Sequence, residues 1–243
     1  MQSGSYDGDG PLVAVSASAE ILRHPGAGEH LLTPLEQKRA TRFHHESVRN
    51  DFVAAHVLVR FCAARLLGVP AGTVVLAQRC PDCGDSAHGK PYLPEHPDVH
   101  VSLSHTQGLV AAAAGLHPVG VDVELPTRGD ASTEMYERVL AEVELKQVLE
   151  HRDPARAFLR QWVRKEAMIK IGRTTLDTLA AVDLSRLPLD VAEGATLHSR
   201  FDDLHILDWQ DRPDGPRGAG ATLSAVSTRR PQLDTPGVLA QQR

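Results

Sequence analysis

Acidic residues at two places in this chain have the types and the spacing of a magnesium site. Asp122 and Glu124 stand two residues apart among valines, so in a β-strand both carboxylates would project from one face. Neighbouring carboxylates repel each other, and Mg²⁺ relieves the repulsion while keeping water positions that a phosphate substrate can take. A solvated strand end is the plain alternative, and the pair alone does not decide between the two.

A third acid, Glu166, stands in the apolar face of a helix expected over residues 154–171. At 100° per residue it lies in the middle of an arc formed by Ala155, Phe158, Leu159, Trp162, Val163 and Ile169. A carboxylate in that position is costly to desolvate unless a cation compensates it. We therefore expect Glu166 to share a metal with Asp122 and Glu124. Lys170, one turn further on the same face, would contact whatever the metal holds.

The signals that bound this helix are strong. Asp153 suits the N-cap, Pro154 suits the first helical position, and Gly172 supplies a stop. On the opposite side, Arg156, Arg160 and Arg164 are expected to form an exposed basic strip that would guide an acidic partner.

Further cations and polar groups are candidate phosphate ligands. They are Arg49, Lys90 in the turn Gly89-Lys90-Pro91, Ser104 and His105 at a strand end, and Lys165. Ser104 and His105 are not a nucleophile and its base, because adjacent strand residues point to opposite faces. An ordinary polar turn is an equally good interpretation of that pair.

The elements that must position these residues alternate between strands and helices. We predict strands over 12–18, 74–77, 99–104, 109–114, 119–124, 196–200, 205–209 and 221–227, and helices over 34–43, 47–67 and 132–151, the last in two pieces. The two halves share a rhythm of strand, helix and hairpin. This rhythm suggests two similar subdomains, 11–118 and 119–229, with flexible tails at 1–10 and 230–243.

Composition narrows the class of protein. The 243 residues are 42% hydrophobic and 23% charged with a net charge of −5, typical of a globular protein without a field that favours nucleic acid or anionic membrane. The N-terminus lacks a signal-peptide pattern and the longest apolar run is too short to cross a bilayer. We expect a cytoplasmic protein.

The turn that contains Cys80 and Cys83 allows two interpretations. With His88 nearby, the two thiols have zinc-ligand spacing, but a tetrahedral site wants four ligands and only three are at hand. A tight turn with two free thiols fits the same residues.

Taken in order, GKP at 89–91, SHT at 104–106, GVDVE at 120–124 and WxxKExxxK at 162–170 resemble the surfactin-type 4′-phosphopantetheinyl transferases. The resemblance runs over roughly residues 34–172. It implies an α/β fold of two similar halves in one monomer, each a small antiparallel sheet packed with helices, with coenzyme A between them. It also implies transfer of the 4′-phosphopantetheine arm of coenzyme A to a serine of an apo acyl or peptidyl carrier protein, releasing 3′,5′-ADP.

The resemblance gives each candidate residue a role. Asp122, Glu124 and Glu166 would hold Mg²⁺; Glu166 would also take the serine proton, and Lys170 would neutralise or protonate the leaving phosphate. The coenzyme A phosphates would contact Arg49, Lys90, Ser104, His105 and Lys165. His56 stands where many relatives have Arg, which puts an anion site there in doubt.

Two other functions remain open at this point. A non-catalytic protein that binds coenzyme A would keep the cleft and do no chemistry, although the three acids and Lys170 are all in place. A Mg²⁺-dependent hydrolase of the coenzyme A pyrophosphate would turn over coenzyme A with no carrier present.

Overall fold

The structure, a computed structural model, describes residues 8–80, 83–85, 89–126, 133–212 and 220–240. The elements of the first half are β1 (Leu12–Ala17), α1 (Ser18–Arg23), α2 (Pro34–Ala40), α3 (Glu46–Leu67), β2 (Ala77–Arg79), β3 (Lys90–Tyr92), β4 (His100–Thr106) and β5 (Leu109–Gly115). Those of the second half are β6 (Val119–Glu124), α4 (Thr133–Val139), α5 (Glu142–Leu149), α6 (Pro154–Lys170), β7 (Thr196–Phe201), β8 (Leu204–Gln210), β9 (Thr222–Ser227), β10 (Gln232–Leu233) and α7 (Thr235–Ala240).

Two four-stranded sheets carry the fold. The strand order is β10-β1-β5-β4 in the first sheet and β6-β9-β8-β7 in the second, and every pair is antiparallel except β1 with β10. The sheets pack face to face, with β1 and β5 contributing side chains on one side and β6, β8 and β9 on the other. Helix α3 covers the outer face of the first sheet and α6 that of the second, which gives four layers.

The prediction of a mixed α/β fold with small antiparallel sheets and packed helices is therefore confirmed. Strand β6 and the two pieces α4 and α5 also form where the sequence predicts them. The strand expected over 74–77 lies further along the chain, at β2.

Glu36, in the first turn of α2, takes part both in the capping of this helix and in a buried contact with α3. Thr33 and Glu36 form the predicted capping box, with the Glu36 Oε2 atom 2.7 Å from the Thr33 backbone nitrogen. The same carboxylate accepts a hydrogen bond of 2.6 Å from the buried Arg60 of α3. Burial acts to raise the pKa of Glu36, but Arg60 outweighs it and the pKa lies below the ordinary value. One side chain thus caps α2 and fixes it to α3.

Helix α6 has the predicted bounds, but its buried side differs from the predicted one. The Asp153 side chain accepts from the Arg156 nitrogen at 3.0 Å, as an N-cap should. Arg160 and Arg164, expected in an exposed basic strip, are 2% and 0% exposed. They bind Asp208 of β8, where the Arg164 Nη2 atom lies 2.7 Å from Asp208 Oδ2. The basic-strip prediction is wrong because the partner carboxylate lies on a strand distant in sequence.

The end of the chain also differs from its prediction as a flexible tail. Residues 232–240 form β10 and α7, and β10 pairs in parallel with β1. Thr235 accepts from the Val15 nitrogen and donates to the Val15 carbonyl, both at 3.0 Å. Of the expected tails, residues 1–7 and 241–243 lie outside the described residues.

None of the helices in the described ranges combines the length and apolar character that a membrane crossing requires.

The buried Arg160–Asp208–Arg164 cluster leads to a stability prediction. Replacing Asp208 by Asn leaves two buried guanidinium groups without their counter-charge, so we expect the free energy of unfolding to fall by about 3–5 kcal/mol. The measurement is urea denaturation. Asp203→Asn is the matched control, because its ion pair with Arg173 is exposed and its loss should change stability by less than about 1 kcal/mol. Equal effects of the two substitutions would contradict the prediction.

Candidate active site

A close approach of α6 to β6 positions the candidate site. A Cβ atom added to Gly120 would lie 2.0 Å from the Ala167 carbonyl oxygen and 3.2 Å from the Lys170 Cβ atom. Only glycine allows this approach, since a real Cβ atom does not come so near a carbonyl oxygen. The glycine of the GVDVE stretch therefore places Glu166 and Lys170 of α6 beside the acids of β6.

Asp122 is the most buried of the three acids, with 4% of its surface exposed. Its Oδ1 atom accepts from the Lys170 Nζ atom at 2.8 Å and from the Ser104 hydroxyl at 2.7 Å. Its Oδ2 atom is buried and has no hydrogen-bond partner in the part of the chain that the structure describes. A buried carboxylate oxygen without a partner is rare in folded proteins, which makes this atom a candidate ligand.

The other two acids are partly buried and lie within electrostatic reach of Asp122. Burial raises the pKa of Glu124 to about 7, and the Asp122 charge adds to the rise while Thr106 and Lys170 oppose it. Burial and the Asp122 charge likewise raise the pKa of Glu166, again against Lys170. Three carboxylates thus share one nearby ammonium, so the site holds more negative charge than its own cation balances.

The donor set of this site fits a hard divalent cation. Carboxylate oxygens are the ligands that Mg²⁺ takes, and the unpartnered Asp122 Oδ2 atom and the raised pKa values mark a deficit of positive charge. Asp122, Glu124 and Glu166 are the residues that would hold it. Across the described ranges no group of three or more His, Cys, Asp or Glu side chains is already arranged in ligand geometry, so the carboxylates would have to move together.

The two lysines that flank Glu166 have different environments. The Lys170 Nζ atom donates to Asp122 and to the Val121 carbonyl, at 2.7 Å for the latter, and its side chain is 27% exposed. Lys165 is fully buried and its Nζ atom lies 2.6 Å from the Glu144 carboxylate. It also donates to three backbone carbonyls, those of Val139, Leu179 and Val182. The prediction that Lys165 contacts a ligand phosphate is wrong, because its ammonium has no access to a cleft.

His105, near the end of β4, lies within electrostatic reach of Lys170. The residue is exposed on one side, but the protein around its ring desolvates it. This desolvation and the nearby Lys170 lower the pKa of His105, while Asp51 acts to raise it. Asp51 was not predicted as a site residue. Its carboxylate accepts from the Gly108 nitrogen at 3.1 Å and from the Ser18 hydroxyl at 2.5 Å, which fixes the turn. At 100° per residue, Asp51 lies at the edge of the apolar face that Phe52 begins on α3, and this position is the signal for it in the sequence.

Ser104, the neighbour of His105, contacts the acidic site directly. Its buried hydroxyl donates to Asp122 and so orients that carboxylate. Contact of Ser104 with a ligand phosphate stays a prediction.

The remaining predicted phosphate ligands lie on other elements than the carboxylates. Lys90 is exposed on β3, and Arg49 near the start of α3 pairs with Glu29. His56 is 2% exposed in the core around α3, and its Nδ1 atom lies 2.8 Å from the Phe52 carbonyl. Burial lowers the pKa of His56 to about 4, so it is neutral at physiological pH and offers no anion site. His88 lies outside the described residues, and of the two cysteines Cys80 is buried and Cys83 is exposed.

Comparison with known proteins gives a family match for the segment that carries this site. Residues 118–221 match the model of the 4′-phosphopantetheinyl transferase superfamily. The matched segment contains both β6 and α6, and so all three acids and Lys170. The resemblance inferred from the acidic motifs is confirmed for this part of the chain.

Individual relatives come from Bacillus subtilis. One, named 4′-phosphopantetheinyl transferase, is 28% identical over 138 residues, which is 56% of this chain and 57% of the relative. A second, 4′-phosphopantetheinyl transferase Sfp of strain 168, is 25% identical over 141 residues, 57% of this chain and 59% of its own. A third, 4′-phosphopantetheinyl transferase ffp, is 26% identical over 137 residues. The chain thus spans somewhat more than half the length of the curated relatives that it matches.

The raised pKa of Glu124 predicts how stability depends on pH in the presence of a chelator. Between the ordinary glutamate value and about 7 the folded protein keeps a proton that the unfolded chain has lost. Stability from this group should therefore fall as pH rises from about 5 to about 8. Glu124→Gln should reduce that fall, measured as the midpoint of urea denaturation across pH, whereas the exposed Glu150→Gln should not. An unchanged profile in Glu124→Gln would refute the assignment.

Proposed function

We propose that this protein is a 4′-phosphopantetheinyl transferase. It would move the phosphopantetheine arm of coenzyme A to a serine hydroxyl of an apo acyl or peptidyl carrier protein and release 3′,5′-ADP. The observation that carries the proposal is the meeting of Asp122, Glu166 and Lys170 at the Gly120 contact between β6 and α6. The superfamily match over 118–221 and the names of the three relatives support it.

Glu166 is the proposed base of the reaction. Its raised pKa makes its carboxylate a stronger proton acceptor than that of an exposed glutamate. In the proposed step Glu166 takes the proton of the carrier serine, directly or through water. The serine oxygen forms a bond to the phosphorus that bears the pantetheine, and the bond from that phosphorus to the bridging oxygen breaks.

Lys170 is the proposed partner of the leaving group. Its ammonium donates to Asp122 and its side chain is partly exposed, so it can reach from the carboxylates to the departing phosphate of 3′,5′-ADP. There it would neutralise the developing charge or supply a proton.

Mg²⁺ and coenzyme A are the proposed cofactor and co-substrate. Asp122, Glu124 and Glu166 would hold the ion, which when bound supplies positive charge to the pyrophosphate oxygens. Lys90, His105 and Arg49 are proposed to contact the coenzyme A phosphates; for Arg49 this requires release from Glu29.

The finer features of the fold and setting are also proposals. Each of the two four-stranded sheets is covered by one long helix, α3 or α6, which supports a pseudo-twofold relation between the two units. We propose that the protein works as a cytoplasmic monomer, without nucleic acid or membrane as partner. The net charge of −5 supports the absence of an overall attraction to polyanions.

One assay separates the three candidate functions. The protein is incubated with coenzyme A, Mg²⁺ and a panel of apo carrier proteins, and the carriers are examined by mass spectrometry. We expect at least one carrier to gain the mass of the phosphopantetheine arm. Consumption of coenzyme A without a carrier would favour the hydrolase, and binding of coenzyme A without either change would favour the non-catalytic protein.

The role of Glu166 is tested by Glu166→Gln, which keeps the shape and removes the base. We expect the rate of transfer to fall by about a hundredfold or more, the size of effect that a general base provides. Glu150→Gln, an exposed change outside α6, is the control and should keep the full rate. A near-normal rate in Glu166→Gln, with the mass gain still occurring, would reject the base assignment but not the transferase.

A further inference from the structure

The interface between the two sheets has a second opening, on the side opposite to the candidate active site. Strands β4 and β6, which carry Ser104 and Asp122, are edge strands of the two sheets. The opposite edge strands, β10 and β7, border a cavity of about 370 Å³, a size within the usual range of small-molecule sites. Its lining consists of Thr196, His198, Leu207, Arg230, Gln232 and Leu233, none of which belongs to the candidate active site.

The strand register explains why polar side chains reach this cavity. Thr196 is paired with Trp209 and His198 with Leu207, and paired residues of an antiparallel sheet project to the same face. Trp209 and Leu207 lie in the core between the sheets. Thr196 and His198 therefore point towards the first sheet, where β10 faces them.

The polar lining supplies one cation, Arg230, and the hydrogen-bonding groups of Thr196, His198 and Gln232. Burial and the nearby Arg230 lower the pKa of His198. His205 also lowers it, while Asp208 acts to raise it. The His198 Nδ1 atom has no hydrogen-bond partner in the described part of the chain. Burial lowers the pKa of His205 as well, and the charges of Arg200, Arg230 and Arg229 lower it further. Arg230 thus acts on both imidazole rings, and its positive charge lies beside the cavity in a chain whose net charge is −5.

The backbone holds Arg230 in position. A Cβ atom on Gly10 would lie 1.8 Å from the Arg230 carbonyl oxygen, so the N-terminal segment packs directly against residue 230. Two residues further on, the Gln232 nitrogen donates to the Pro11 carbonyl at 2.8 Å. The Arg230 side chain is exposed and is thus free to bind a ligand from a fixed backbone.

We propose that this cavity binds a small organic phosphate, with the phosphate against Arg230 and His198 and an apolar body against Leu207 and Leu233. Arginine binds phosphate through paired charge-assisted hydrogen bonds, and the Gln232 amide and Thr196 hydroxyl supply further donors. A bound ligand would join β7 of the second sheet to β10 of the first. It would therefore stabilise the docked C-terminal segment.

The test uses phenyl phosphate, which combines a phosphate with an apolar ring, and inorganic phosphate for comparison. Binding at millimolar concentration is followed by the NMR signals of the His198 ring and by the melting temperature. We expect phenyl phosphate to shift the His198 signals, to raise the melting temperature and to bind more tightly than inorganic phosphate. Arg230→Gln should weaken binding by about tenfold or more, as expected for a charge-assisted contact.

Two control variants make the outcome specific to this cavity. Arg229→Gln changes the arginine next to Arg230, which is paired with Asp9. Lys90→Gln changes an exposed lysine of β3. Both variants should bind phenyl phosphate as tightly as the unchanged protein. The proposal is overturned if the His198 signals do not move. It is also overturned if Lys90→Gln weakens binding while Arg230→Gln does not, since the phosphate would then bind elsewhere.

Discussion

The rotational setting of α6 on the second sheet is the constraint on which the candidate site depends. Two contacts fix it: Gly120 of β6 lies against the Ala167 carbonyl, and Arg160 and Arg164 bind Asp208 of β8. These contacts involve two different strands, so the helix cannot turn about its axis without breaking one of them. A slip of one residue would rotate the helix by about 100° and carry Glu166 away from Asp122.

Helix α6 carries charged residues in two different settings. In one the charges are balanced within the fold, and in the other they are not. Lys165 and Glu144 form a closed pair, and each of the four lysine contacts is internal to the fold. Around Asp122 the balance is incomplete, because Glu124 and Glu166 share Lys170 with it and both have raised pKa values. A fold that neutralises one buried acid fully and leaves three partly uncompensated supports the proposed cation site at Asp122, Glu124 and Glu166.

Local signals made much of the fold predictable from the sequence. The N-cap at Asp153 and the alternation around Asp122 depend on neighbouring residues, and both predictions agree with the structure. The buried state of Arg164 depends on Asp208, 44 residues away on a strand, and nothing near Arg164 in sequence reveals it. The same reason explains the error at Lys165, whose partner Glu144 belongs to another helix. Periodicity identifies the helix, but partners distant in sequence decide which of its charged side chains are buried.

The C-terminal segment shows that the two halves are not separate pieces of chain. β10 extends the first sheet although it follows the last strand of the second sheet along the chain. The Thr235 hydroxyl forms hydrogen bonds with both the backbone nitrogen and the carbonyl of Val15. Without it, the edge of β1 would be left with unpaired backbone groups. A cut at residue 118 would therefore remove part of the sheet it was meant to isolate. Since the first sheet also supplies Ser104 to Asp122, the carboxylates are held by contacts from both sheets.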